Sequence, residues 1–310
     1  LMASAIYIDC LSFLSTEDAL SLSAKYKIVD RLSFDPDVTV AVIRPPQVYC
    51  PDFLSFFPNL TTILSDTTGV SHLSEAFLNP NLKIFTLRDL KSSDRDDLTA
   101  ASELALLLIS LSLRPVIKCH QQLLSSIPSQ SDCSSIFSER SSYIGLTWQD
   151  VRLGFIGAGR IANSVASSIP SYVGSLSFYD PFINPSDSFC CGLRVDSLDE
   201  LFRQSNVILL SATDDPKNLD LVDQVLLRHR LHSFINISRP YMVNSASLLT
   251  SFRLGNLKHY YADFAPPDIS PSELSPLVHD GSILFLPHIG GVTHHSWRNS
   301  LRKILTFLPS

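Results

Sequence analysis

The sequence predicts an α/β protein of two lobes, the larger one built on a doubly wound parallel sheet. Three observations carry this. Short apolar runs alternate with amphipathic helical stretches along most of the chain. The length, 310 residues, is enough for two domains that each bury a core. From residue 153 onward, strand-like runs at 153–156, 176–180, 206–210, 233–237, 259–263 and 282–286 are separated by helical stretches, as a doubly wound sheet requires.

The first of those strands leads into the stretch that organises the chain. Residues 153–156 are apolar, Gly157-Ala158-Gly159 turns the chain, and Ile161, Ala162, Val165, Ala166 and Ile169 follow at helical spacing. Gly157 permits the tight turn, and Gly159 lets the backbone approach a pyrophosphate at the helix N-terminus. Ala162 stands at the third position, where only close helix–strand packing is needed. The next strand ends in Asp180, 23 residues after Gly157, where a carboxylate grips the adenine ribose hydroxyls. Strand, turn, helix and acid together predict a dinucleotide site.

In the first part of the chain, strands are expected at 4–8, 38–43, 60–64 and 82–86, the second closed by Pro45-Pro46. Helices are expected at 17–26, capped by Thr16, and at 53–57. A Leu-rich helix begins near Asp96 and continues past Pro115, which kinks its second half. Residues 125–142 read as a surface loop by composition. Further helices are expected at 198–202, 219–227 and 245–252. Ligands of such sheets bind beyond the carboxyl ends of strands, which selects Asp180, Ser211, Arg239, Asp263 and His288.

Composition narrows the partners. There are 24 Lys and Arg against 30 Asp and Glu, a net charge of −6, with no basic run, so nucleic acid is not expected as a ligand. The cysteines Cys10, Cys50, Cys119, Cys133, Cys190 and Cys191 lack metal-ligand spacing and read as reduced cytoplasmic thiols; no metal is expected. The longest apolar run, 104–113, is about half a membrane span, and no signal peptide is read at the N-terminus.

These residues resemble a known family, the NAD-dependent D-isomer-specific 2-hydroxyacid dehydrogenases. Thr67-Thr-Gly-Val-Ser-His-Leu73 is similar to the family's substrate loop, and Thr99-Ala-Ala-Ser-Glu-Leu-Ala105 to the start of its interdomain helix. Gly157-Ala-Gly-Arg-Ile-Ala162 and Tyr179-Asp-Pro181 match its cofactor signatures. Asn236-Ile-Ser-Arg239 stands where the family has its catalytic arginine, and Pro287-His-Ile-Gly-Gly291 matches its catalytic histidine motif.

The resemblance implies a Rossmann-type lobe over 99–290 and a smaller, flavodoxin-like substrate lobe over 1–98 completed by 291–310, with a cleft between them. It implies NAD as cofactor, a small 2-hydroxy or 2-keto acid as substrate, and a homodimer. It implies cofactor contacts from Gly157, Gly159, Arg160, Ile161, Asp180, Ser211, Thr213, Ile237, Asp263 and Gly290. Substrate contacts would come from Thr68, Gly69 and Arg239. Catalysis would fall to Arg239, His288 and Asp268, with Asp268 raising the pKa of His288. The family's carboxylate partner for the histidine is Glu; here the matching position is Asp268, one methylene shorter. Pro240, Asn244, Tyr260 and Tyr261 also depart from the family pattern. The alternative implied by the same resemblance is an NAD(H)-binding, corepressor-like interaction protein with weak turnover.

Overall fold

The computed structural model describes residues 5–44, 52–69, 73, 81–95, 97–126, 140–183 and 192–308. Its strands are β1 (Ala5–Ile8), β2 (Lys27–Val29), β3 (Val38–Ile43), β4 (Thr62–Ser65), β5 (Lys83–Thr86), β6 (Arg152–Ile156), β7 (Ser175–Tyr179), β8 (Leu193–Arg194), β9 (Val207–Leu210), β10 (Leu231–Asn236), β11 (Leu257–Ala262) and β12 (Ile283–Phe285). Its helices are α1 (Thr16–Ser23), α2 (Asp52–Phe56), α3 (Ala100–Ser112), α4 (Val116–Ser126), α5 (Arg160–Ser168), α6 (Leu198–Gln204), α7 (Val225–Arg228), α8 (Ser245–Arg253), α9 (Pro271–His279) and α10 (His294–Ile304). Packing divides the chain into two compact units, Leu1–Leu98 with Gly291–Ser310, and Thr99–Gly290.

The first unit carries a parallel sheet in the order β2-β1-β3-β4-β5. Alternation along β1 sends Ala5 and Tyr7 to a cluster with Phe53 and Phe57, and Ile6 and Ile8 to one with Leu301 and Ile304 of α10. Strand β2 was not expected; three residues, one of them the exposed Lys27, are too short to show a period. The cap of α1 is Ser15, which accepts from the Asp18 amide at 3.1 Å, and not Thr16. Helix α10 is fastened by Arg44, which pairs with buried Asp66, donates to Ser300 Oγ at 3.0 Å and lies 4.6 Å from the Trp297 ring centre.

The second unit carries a parallel sheet in the order β12-β11-β10-β9-β6-β7-β8. All four residues of β9 are buried, as are four of five in β6, because helices cover both faces. One face packs α3 and α5 against Leu153, Phe155, Leu209 and Ile235. The other packs α6 and α8 against Ile208, Leu210, Phe234 and Tyr260. The two-residue edge strand β8 adds to the six expected.

Two expected helices differ. The Leu-rich helix is two helices bent by 67°, because Pro115 lacks the amide a continuous helix needs. The Leu113 carbonyl is instead taken by the Leu146 amide at 2.7 Å. The helix expected at 219–227 is reduced to α7. Asp220 has φ +50, and Val222 pairs with the Met242–Asn244 backbone, so extended pairing wins over apolar periodicity. Among the described residues, no single helix is long and apolar enough to cross a membrane.

The amino ends of β10 and β11 place His232 and His259 ring to ring, 5.2 Å between centres. Burial, with His232 and Lys258 nearby, pushes the His259 pKa down to about 4, against weaker pulls upward from the Gly281 backbone and Asp280. The unfolded chain takes up this proton near 6.5 and the folded chain near 4, so acid favours unfolding across that window. Stability is expected to fall by up to about 3 kcal/mol as pH drops from 6.5 to 4. His259→Gln should flatten that part of the Tm–pH curve; equal slopes in both proteins would refute the assignment.

Candidate active site

The glycine turn follows β6. Gly157 has φ +84, and a Cβ there would stand 2.7 Å from the Ala212 Cα, so only glycine fits. At Gly159 a Cβ would meet nothing within 4 Å, so the space before the N-terminus of α5 is open. That is the room a pyrophosphate needs, and Arg160 and Ile161 begin the helix beside it. Asp180 follows β7. Its Oδ2 accepts from the Ala158 amide at 3.0 Å and its Oδ1 from the Phe182 amide at 2.9 Å. The Asp180 carboxylate and the turn are thereby one piece of backbone geometry. Ser211 Oγ donates to the Gly157 carbonyl at 3.0 Å. Thr213 is exposed and Ile237 half-buried.

The turn after β10 presents Arg239. Buried Asn236 accepts from the Ser238 amide at 3.0 Å and donates from Nδ2 to the Arg239 carbonyl at 3.1 Å. The same Nδ2 donates to the Tyr260 hydroxyl at 3.1 Å. Pro240 opens a 3-10 turn and restricts Arg239 to an extended backbone, φ −142 and ψ 147. The guanidinium Nε then lies 3.1 Å from Asp214 Oδ2. Asn244 caps α8 through the Ser247 amide at 3.0 Å.

His288 stands on a turn held by a single residue. Its amide donates to the Asp263 carbonyl at 2.7 Å. The Ile289 and Gly290 amides donate to Asp263 Oδ1 and Oδ2 at 2.8 and 2.7 Å. A Cβ on Gly290 would stand 2.6 Å from Asp263 Oδ2. His288 itself has φ +58, a left-handed conformation uncommon outside glycine. Burial raises the Asp263 pKa, and these two amides work against that rise. The Phe264 ring meets the imidazole edge-on, 6.0 Å between centres. One side of His288 is open to solvent, yet the protein crowding its ring is the largest cause of a lowered pKa, followed by the Arg239 charge. Asp263 and Asp214 oppose the shift.

The structure thus brings Arg239, Asp263 and His288 together, and it does not bring Asp268 to them. The Asp268 carboxylate is exposed and accepts from Ser245 Oγ at 2.7 Å. The expected Asp268–His288 pair is not formed, and the imidazole pKa is lowered where that pair would have raised it. With a short arm, Asp268 is satisfied by the α8 hydroxyl next to it. The residue that the sequence reading missed is Asp214, in the loop beyond β9. It was legible as a carboxylate at a strand's carboxyl end, but Asp-Asp-Pro also reads as an ordinary turn. Within the first unit, Thr67 Oγ1 donates to the Gly69 carbonyl at 2.8 Å, leaving Thr68 exposed; residues 70–72 of the expected substrate loop lie outside the described residues.

Gly290→Ala should force the added methyl onto Asp263 and lower stability by about 1–3 kcal/mol. Asp263→Asn keeps one acceptor for two amides and should cost a similar amount, about 1–3 kcal/mol. Denaturant unfolding checks both; midpoints equal to the parent's would show that the turn stands without this contact.

The match to known proteins is consistent with this geometry. Residues 113–290 match the family described as D-isomer specific 2-hydroxyacid dehydrogenase, NAD binding domain. The chain is 22% identical over 262 residues to D-3-phosphoglycerate dehydrogenase of Mycobacterium leprae, covering 83% of this chain and 46% of that protein. It is 25% identical to D-lactate dehydrogenase of Lactobacillus delbrueckii subsp. bulgaricus, covering 52% of each. The chain therefore spans about half the length of these curated relatives. Its fold superposes on the holo form of Rhodotorula graminis D-mandelate dehydrogenase with a TM-score of 0.78 at 18% identity, covering 99% of this chain and 93% of that one. With more than half of its length matched, 113–290, the chain belongs to the family of D-isomer specific 2-hydroxyacid dehydrogenases, through their NAD-binding domain.

Proposed function

We propose that this chain transfers a hydride between NAD(H) and a D-2-hydroxy acid or 2-keto acid pair. The observation that carries the reading is that Arg239 and His288, on the turns beyond β10 and β12, lie close enough for the arginine charge to act on the imidazole, at the edge of the sheet that bears the glycine turn. The open space at Gly159 supports a pyrophosphate there, between Gly157, Arg160 and Ile161. Asp180 would accept from the adenosine ribose and repel a 2′-phosphate, favouring NAD over NADP. Ser211, Thr213, Ile237, Asp263 and Gly290 would line the nicotinamide half. When bound, the nicotinamide supplies or takes up the hydride.

The rest falls to the chain. Arg239 carries a permanent charge and binds the substrate's carboxylate. A ring nitrogen of His288 takes the hydroxyl proton as the carbinol becomes a carbonyl, and returns it in reduction. The Asp263 turn fixes where that ring stands. A homodimer acting in the cytoplasm completes the reading and rests on the family resemblance. The second reading, an NAD(H)-binding interaction protein, is favoured by one observation: Asp268 is turned to Ser245 and gives His288 no carboxylate.

The lowered pKa of His288 gives the test a direction. The neutral ring is the base, so hydroxy-acid oxidation should rise with pH through a midpoint below about 6.5 and then level off. Ketone reduction should fall through the same midpoint. NADH oxidation against a panel of 2-keto acids, and the reverse reaction, from pH 5 to 9 provide the measurement. His288→Ala should abolish turnover and leave NADH binding intact. A panel without turnover would favour the interaction protein, and NADPH binding as tight as NADH would remove the cofactor preference.

A further inference from the structure

The guanidinium of Arg239 is held before any substrate arrives. Asp214 Oδ2 accepts from Nε at 3.1 Å, and Nη1 donates to the Ser238 carbonyl at 2.8 Å. Asp214 Oδ1 accepts from the Tyr241 hydroxyl at 2.6 Å, so the carboxylate is itself fixed from the far side of Pro240. Ser238 Oγ donates to the Ala212 carbonyl at 2.5 Å, tying the loop that carries Asp214 to the turn that carries Arg239. The pair is mostly shielded, with side-chain exposures of 21% and 19%, so its attraction is screened far less than a surface pair's. Among the described residues, Nη2 has no protein partner.

The geometry has a chemical consequence. Of the two forks by which a guanidinium receives a carboxylate, the one using Nε is occupied. The end carrying Nη2 is left for a ligand. The charges around His288 are Arg239, Asp263 and Asp214, with Asp268 absent from them. We propose that Asp214 is the positioning residue of this site: it fixes which edge of Arg239 meets the 2-keto acid carboxylate, and it supplies beside His288 the negative charge that Asp268 does not. This deepens the dehydrogenase reading and rests on it. It also links binding to protonation. Asp214 already faces the guanidinium and the Asp263 carboxylate stands near His288, so an arriving anion is best accommodated when His288 carries a proton.

The test uses the full chain with Asp214→Asn, which keeps the shape, and Asp214→Glu, which keeps the charge. With the 2-keto acid that turns over best, Asp214→Asn should raise KM roughly tenfold, the loss of about one charge-assisted hydrogen bond. The kcat should change much less, NADH affinity should hold, and Asp214→Glu should recover part of the loss. The NMR titration midpoint of the His288 ring should move down in Asp214→Asn, since a carboxylate that raises it is gone. A KM that falls would overturn the proposal, because the carboxylate would then compete with substrate. An unchanged KM with an unmoved imidazole midpoint would overturn it too. Where the parent protein turns over no 2-keto acid, the dehydrogenase reading is what fails. The imidazole titration still decides on Asp214: a downward shift supports it, and an unmoved midpoint overturns it.

Discussion

The site depends on one residue accepting three successive amides. His288, Ile289 and Gly290 all point their N–H groups at Asp263, one at its carbonyl and two at its carboxylate. Holding His288 left-handed costs about 1–3 kcal/mol. Hydrogen bonds to a buried charged acceptor contribute about 1.5–3 kcal/mol each, so two of them offset that strain. The same amides oppose the effect of burying the carboxylate, whose pKa nonetheless stays raised. Asp263 can hold this turn because it directly follows β11, a strand flanked by β10 and β12 in a sheet covered on both faces. The position of the imidazole is thus inherited from the sheet.

The neighbouring turn follows the same logic with a different residue. Asn236 ends β10 and braces the backbone that presents Arg239. Its amide also reaches Tyr260, one of the positions that departs from the family pattern. Tyr260 and Tyr261 are both 1% exposed, and each hydroxyl is paired, the second with the Gly281 carbonyl. A large aromatic is accommodated in this core because its polar end is satisfied. Pro240, another departure, restricts Arg239 to the extended backbone that sends its side chain toward Asp214. These substitutions reshape the support of the site while keeping the arginine and histidine in it.

The electrostatics differ from the family expectation at one carboxylate. Asp268, one methylene shorter than the glutamate that the family resemblance implies at its position, accepts from Ser245. Asp214 comes from a different strand end and meets Arg239 directly. The balance around His288 is therefore set by an arginine, a buried aspartate and a loop aspartate, and desolvation prevails.

The glycine turn, Asp180, and the strand-end positions of Arg239, Asp263 and His288 were legible in the sequence. Their signals are local: apolar period, glycine spacing, and the rule that strand ends in such sheets face ligand. The short strands β2 and β8 were not legible, since two or three residues carry no period. The break at Pro115 into two helices, and the extended path through Val222 in place of a helix, were settled by backbone pairing with distant segments. The partners of the site were decided the same way. Asp214 lies 25 positions from Arg239 and Asp263 lies 27 from Gly290, so their contacts exist only once the sheet has brought β9, β10, β11 and the turn after β12 into line. Sequence by itself marked the strand ends at which ligand-facing residues are expected. Tertiary structure decided which carboxylate each of them meets, because a carboxylate goes to whichever donors the folded backbone places within about 3 Å.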